Sequence, residues 1–303
     1  DAMVELGYRV AGYEYVVIDD CWSLKERDYT TGRIVPDPVK FPHGMKALAD
    51  YIHSKGLKFG MYSCAGVRTC AGYPSSFDHE YEDARTFAEW GVDLLKYDFC
   101  NFPNYANNKN RYLTMSMALR STGRDIIFSG CNWGRGEPWN WMRSIGAHMY
   151  RSTHDINDSY ASMADILTSQ LPNLNANAAG CFNDLDMLTV GMNGRGNVGL
   201  ENCTTPDEYV TEFVFWCMAS SPLMMGGDIR SLDDRSRELL QNRGLIRINQ
   251  DPECRPAYQV NGATKDFPII IKLLSGGEFA LAFFNLKDAD RRLELPFADL
   301  GVP

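Results

Sequence analysis

The sequence predicts an α/β fold: a (β/α)8 TIM barrel whose first strand is absent from the chain, followed by the start of a C-terminal antiparallel β-sandwich domain. Three observations predict it. Short β-branched or aromatic runs alternate with longer amphipathic stretches, at about 30 residues per repeat, as in βα units on a parallel sheet. The repeats number about seven before Asp251, more than most doubly wound sheets hold. After Pro252 the pattern changes to period-two alternation. The domains are accordingly drawn at 1–253, barrel, and 254–303, partial β-sandwich.

In order, Tyr15–Ile18, Lys58–Tyr62, Leu94–Tyr97, Ile126–Ser129 and His148–Arg151 read as buried parallel strands closed by polar turns. Amphipathic stretches at Gly44–Ser54, Glu80–Trp90, Asn108–Ser121, Asp158–Ser169 and Asp207–Ser220 read as the helices. No G-x-G-x-x-G follows the first strand, so a dinucleotide site has no support. In the tail, Ile269–Leu273 and Phe279–Phe284 flank a Gly-Gly turn and read as a hairpin, with Arg292–Leu295 as a further strand.

With 303 residues, 45% hydrophobic and 23% charged, the chain has the composition of a folded globular protein. A net charge of −9 disfavours nucleic acid or an anionic membrane as the main partner. No apolar run is long enough to span a bilayer. The opening residues, DAMVELGYRV, read like the middle of a domain, so the chain is expected to continue at both ends. A barrel without its first strand exposes two edges, and this span alone is expected to be poorly soluble and inactive. Localisation stays unknown, with secreted and cytoplasmic both open, and so does homo-oligomer formation. The nine cysteines are too scattered for a disulfide scaffold and lack zinc-site spacing.

The informative feature is what ends the strands. Active sites of parallel barrels sit at the C-terminal strand ends. Here those ends carry Asp19-Asp20, Tyr62, Lys96 and Asp98, Asn132-Trp133, Arg151 with Asp155, and Asp184 with Asp186. Any one Asp after a strand suits a turn or an N-cap. So many costly charges at one mouth point to chemistry. Carboxylates and cations bond sugar hydroxyls, aromatic faces cover C–H surfaces, and glycoside hydrolysis needs two carboxyl groups. A divalent metal held by barrel carboxylates is the competing reading. Lys96 shares a strand face with Asp98, where it would repel a cation and keep the carboxylate ionised. Sugar is therefore preferred, with no metal and no cofactor.

At these residues the chain resembles glycoside hydrolase family 27, the α-galactosidase and α-N-acetylgalactosaminidase family. The resemblance rests on GYEYVVIDDCW, RIVPDPVKFPHGMKALADYIHSKGLKFGMYS, TCAGYPSSFDHE, WGVDLLKYDFC, CNWG, YRSTHDI, FNDLDML and RINQDP, in family order. It implies Asp98 as nucleophile and Asp155 as acid/base, with retention if their carboxyls lie ~5–5.5 Å apart. It implies that Asp19 and Asp20 bind the 4- and 6-hydroxyls of galactose, Lys96 the 3- and 4-hydroxyls, and Arg151 the 2-position. Tyr62 and Asp186 would line the pocket, Trp133 would wall it, and Asn132 stands near the 2-position where animal and plant members carry Glu. Cys70 and Cys100 match a cystine beside the pocket. Cys21 matches a position whose partner lies upstream, as does a Trp that stacks on the sugar.

The resemblance implies a retaining α-galactosidase acting on α-galactosides of oligosaccharides or glycoconjugates. His154 stands where Gly is usual, Leu185 where Pro is usual, and Cys64 often an Asp; these touch fine specificity. α-N-Acetylgalactosaminidase, isomaltodextranase and β-L-arabinopyranosidase are alternatives within the family. From another class, a catalytically silent galactoside-binding protein is the alternative, and having both Asp98 and Asp155 argues against it.

Overall fold

The computed structural model describes residues 1–300. The chain forms two compact units, one of Asp1 with Met3–Ser152 and one running from Thr153 onward with Ala2.

The first unit opens with two short helices, α1 (Ala2–Glu5) and α2 (Tyr8–Ala11). Five parallel strands then follow in chain order: β1 (Tyr15–Val17), β2 (Lys58–Cys64), β3 (Leu94–Asp98), β4 (Ile127–Cys131) and β5 (Met149–Arg151). Register pairs Tyr62 with Lys96, Cys64 with Asp98, and Cys131 with Arg151, so the polar strand ends line up at one edge. Between the strands lie α3 (Gly44–Ser54), α4 (Glu80–Trp90) and α5 (Asn108–Ser121), with the bounds their periodicity predicts. Each has a readable stop or start. Gly91 closes α4 at φ 84°, a conformation that suits a residue without Cβ. The side chain of Asn107 caps α5 by accepting from the Asn110 N–H at 3.0 Å.

Two close approaches show where the sheet has no room. A Cβ on Gly60 would meet Val17 at 2.7 Å, and one on Gly66 would meet the Cys100 carbonyl oxygen at 1.9 Å. The aromatic residues Tyr97, Tyr112 and Phe128 pack edge-on or tilted at 5.4–6.2 Å under the β3 and β4 ends.

The second unit holds β6 (Phe182–Asp184), α6 (Tyr160–Gln170), α7 (Pro206–Met218), α8 (Asp234–Leu240) and α9 (Arg243–Asn249). Here α6 begins two residues later than the periodicity suggests. Ser159 serves as its N-cap, and Asp158 is buried, accepting from Gly194 N–H and Tyr209 O–H at 2.7 and 2.8 Å. Helix α7 starts on a capping box between Thr205 and Glu208 with Pro206 in its first turn. It stops before Ser220, whose φ of 54° breaks the helix. Within α7, Glu212 is fully buried and meets Thr189 N and Oγ1 at 2.7 and 2.9 Å.

Of the roughly seven repeats expected, six form strands among the described residues, β1 to β6. Among the described residues, β6 is followed by one parallel bridge, Leu188 with Met225, rather than a further strand.

A separate antiparallel sheet of three strands follows, β7 (Ala257–Gln259), β8 (Ile269–Leu273) and β9 (Phe279–Phe283), in the order β7-β8-β9. The hairpin is as predicted. The third strand is not: Arg292–Leu295 is irregular, and Ala257–Gln259 takes the place beside β8. Leu293 and Leu295 still pack on Val260, Ile269 and Ile271. Their alternation therefore reports a buried face without a backbone ladder behind it.

Candidate active site

The site in the first unit is built on β3. Asp98 ends that strand, buried to 6% exposure. Its Oδ1 accepts the Phe99 N–H and its Oδ2 accepts the Tyr62 hydroxyl, both at 2.8 Å. The Tyr62 hydroxyl has one proton to give and gives it to the carboxylate. Burial and the charge of Asp98 both push the Tyr62 phenol far above its ordinary value, so it stays a donor. The backbone of Tyr62 is held in turn by the Trp22 indole, whose N–H donates to the Tyr62 carbonyl at 2.9 Å.

Lys96, two residues before Asp98, places its ammonium 2.8 Å from Asp19 Oδ2 and 5.5 Å from the Tyr62 ring centroid. Desolvation works against the charge of Asp19. The Lys96 ammonium, the Asp20 N–H and the charge of Arg151 outweigh it and hold the carboxyl below its ordinary value. Desolvation likewise opposes the charge on Lys96, while Cys131, Asp19 and Asp98 around it raise it above its ordinary value. The two acids after β1 part company. Asp19 faces Lys96, whereas Asp20 accepts the Cys21 and Ala71 N–H groups at 2.7 and 2.9 Å and fastens the loop after β2. Each carboxylate oxygen keeps a further lone pair for a hydroxyl.

Cys70 and Cys100 form a disulfide with Cα atoms 5.0 Å apart. Cys70 Sγ lies 3.5 Å from both the Tyr62 hydroxyl and Asp98 Oδ2. The group Cys70, Asp98 and Cys100 has metal-like spacing, but both sulfurs are bonded to each other and offer no thiolate. Cys64, in register with Asp98, keeps a buried thiol pushed up to about 12 by its burial.

Asn132 and Trp133 follow β4. Asn132 is fully buried and donates from Nδ2 to the Arg135 carbonyl at 2.7 Å. Trp133 is half-buried, with a left-handed φ of 57°. Arg151 ends β5, buried to 3% exposure.

In the second unit, Asp155 is exposed on the loop before α6. Asp186, at φ 86°, accepts the Ile156 N–H at 2.8 Å and so ties down the residue next to Asp155. The Asp186 carbonyl accepts the Trp216 indole N–H at 2.8 Å. His154 turns away to pair with Asp165 of α6 at 2.9 Å.

Of the residues singled out in the sequence, the first unit thus gathers Asp19, Asp20, Tyr62, Lys96, Asp98, Cys70 and Cys100 at one set of strand ends. The second unit joins Asp155 and Asp186 through Ile156. One supporting residue escaped the sequence reading. The Tyr112 hydroxyl donates toward the Asp98 and Cys131 carbonyls at 3.2 and 3.1 Å, bridging two strand ends from α5. Its spacing on α5 marks it as core, and only the fold shows where its hydroxyl lands.

Comparison with known proteins places the chain as a whole. A family model described as Alpha galactosidase A matches residues 1–251. An alpha-galactosidase of Cyamopsis tetragonoloba is 41% identical over 303 residues, covering 100% of this chain and 71% of that protein. Among solved structures, alpha-galactosidase I of Mortierella vinacea superposes with a TM-score of 0.87 at 33% identity, over 94% of this chain and 75% of the other. An alpha-galactosidase of Saccharomyces cerevisiae with raffinose gives 0.83 at 34% identity, over 94% and 68%. The chain spans 62% of the length of two further similar structures, both from Bacteroides fragilis.

Proposed function

The chain belongs to glycoside hydrolase family 27, and on that premise we propose that it carries the machinery of a retaining α-galactosidase. The observation that carries the reading is the buried Asp98, bonded by Tyr62 and set two residues from the Lys96–Asp19 pair. A carboxylate so placed is a nucleophile with a polar recognition surface beside it.

In the proposed reaction an Asp98 oxygen attacks the anomeric carbon as Asp155 gives its proton to the departing glycosidic oxygen. Asp155, now a carboxylate, takes a proton from water. The resulting hydroxide displaces Asp98, and galactose leaves with its configuration retained. Tyr62 holds the Asp98 carboxylate in place by its hydrogen bond. Asp19 and Asp20 receive the 4- and 6-hydroxyls, Lys96 the 3- and 4-hydroxyls, and Arg151 the 2-hydroxyl. Asn132, Trp133 and Asp186 complete the pocket. Residues 1–253 are read as the catalytic part, of the (β/α)8 barrel class, and 254–303 as belonging to a β-sandwich domain.

The test is substrate choice. Leaving an acceptor unpaired once the bound sugar covers it costs about 1–3 kcal/mol. Turning the 4-OH from axial to equatorial should therefore lower kcat/KM about a hundredfold. p-Nitrophenyl α-galactoside should be cleaved that much faster than its α-glucoside by the full chain, and comparable rates would overturn galactose as the substrate.

A further inference from the structure

Immediately past Asp98 the structure builds an aromatic cluster of which the proposed chemistry uses only Trp133. The Phe99 ring stacks on Phe102, with centroids 4.3 Å apart and planes at 17°, and meets Trp133 edge-on at 6.1 Å. Two left-handed residues in succession, Trp133 at φ 57° and Gly134 at φ 79°, then reverse the chain. Gly134 cannot carry a side chain, because its Cβ would lie 2.5 Å from the Ser152 carbonyl oxygen. The turn is pinned at both ends. Arg135 donates its N–H to the Asn132 carbonyl at 3.0 Å, and its own carbonyl accepts from Asn132 and Asn108 at 2.7 and 3.3 Å.

The result brings the Arg135 guanidinium back over Trp133 and Phe99, 5.6 and 5.9 Å from the two ring centroids. Among the described residues its side chain makes no ion pair and no hydrogen bond. A cation over aromatic faces is held in position without spending its donors. Its planar fork of N–H groups therefore faces outward unused, on an exposed residue.

An exo-acting glycosidase takes the terminal sugar into the closed end of its pocket and sends the leaving group toward solvent. If Trp133 walls the galactose, the group two residues further out meets what galactose is attached to. We propose that Arg135, over Trp133 and Phe99, forms the leaving-group subsite and selects α-galactosides whose leaving group is itself a neutral sugar. Guanidinium donors suit the hydroxyls of such a sugar, and the ring faces beside them suit its C–H surface. The inference rests on the α-galactosidase reading and assigns to Arg135 the preference for galactose attached to another sugar.

The test compares the full chain with Arg135→Ala and Arg135→Lys on raffinose and on p-nitrophenyl α-galactoside, whose leaving group has no hydroxyls to bind. The ratio of kcat/KM, raffinose over aryl galactoside, should fall about tenfold in Arg135→Ala, mainly through KM. Arg135→Lys should recover only part of it, since an ammonium lacks the planar fork. A ratio that stays within about twofold of the parent in Arg135→Ala would overturn the subsite while leaving the galactosidase reading intact. A full-length parent protein that cleaves neither substrate would sink that reading and the subsite with it.

Discussion

At the scale of single residues, the proposed mechanism gives the two carboxylates separable roles and so separable losses. In it Asp98 bonds to the sugar whatever the leaving group, whereas an acid matters least when the leaving group departs readily. Asp98→Ala should be inactive on every α-galactoside, by about 10⁴-fold or more. Asp155→Ala should keep early turnover of an aryl galactoside, and added azide should restore steady turnover by taking the place of activated water. Equal losses without azide rescue would count against the assignment. Tyr62 donates to Asp98 and Lys96 to Asp19, each at 2.8 Å.

Strands and helices place these groups, and the tightest constraint lies where β2 and β3 end. Ala65 donates its N–H to the Asp98 carbonyl at 2.8 Å, and Val67 to Asn101 at 3.2 Å, so the two chains run together beyond the sheet. Gly66 sits between them with no space for a methyl group, because the obstacle at 1.9 Å is the backbone oxygen of Cys100. Gly66→Ala should destabilise the fold by about 1–3 kcal/mol through overpacking. It should also displace Cys100, two residues past Asp98, so aryl galactosidase activity should fall with stability. Urea melts and rates measured on the same sample check both, and an unchanged midpoint would contradict the account.

For the whole molecule, the buried Glu212 makes stability depend on pH. Burial raises its carboxyl to about 8; hydrogen bonds from Thr189 oppose this, and Asp158 and Asp186 add to it. Between the ordinary value of 4.5 and about 8 the folded chain binds more protons at this site than the unfolded chain. Its contribution is therefore fully present below about 4.5 and is lost as pH rises through about 8. The slope reaches up to about 1.4 kcal/mol per pH unit. In Glu212→Gln the amide oxygen still accepts the Thr189 N–H, and the NH2 can donate to Thr189 Oγ1. That variant should match the parent near pH 5 and melt higher than the parent above pH 8. Thermal melts across the range decide it, and parallel curves for the two proteins would refute the role of Glu212.

The sequence by itself determined the order and type of strands β1 to β5 and of helices α3 to α5. Alternating runs at Lys58, Leu94 and Ile127 are buried parallel strands because a strand covered on both faces must be apolar throughout. It also determined which residues stand at the strand ends, since Asp19, Tyr62, Lys96 and Asp98 are where their spacing puts them. Tertiary structure alone decided partnership. Nothing in the order of residues says that Asp19 goes to Lys96 while Asp20 goes to backbone amides, or that Arg135 lies over Phe99. The missed strand Ala257–Gln259 and the misread Arg292–Leu295 teach the same thing. Alternation records which side chains are buried, a local property of the chain. A hydrogen-bond ladder needs a second strand alongside, and that neighbour is supplied only when the chain has folded.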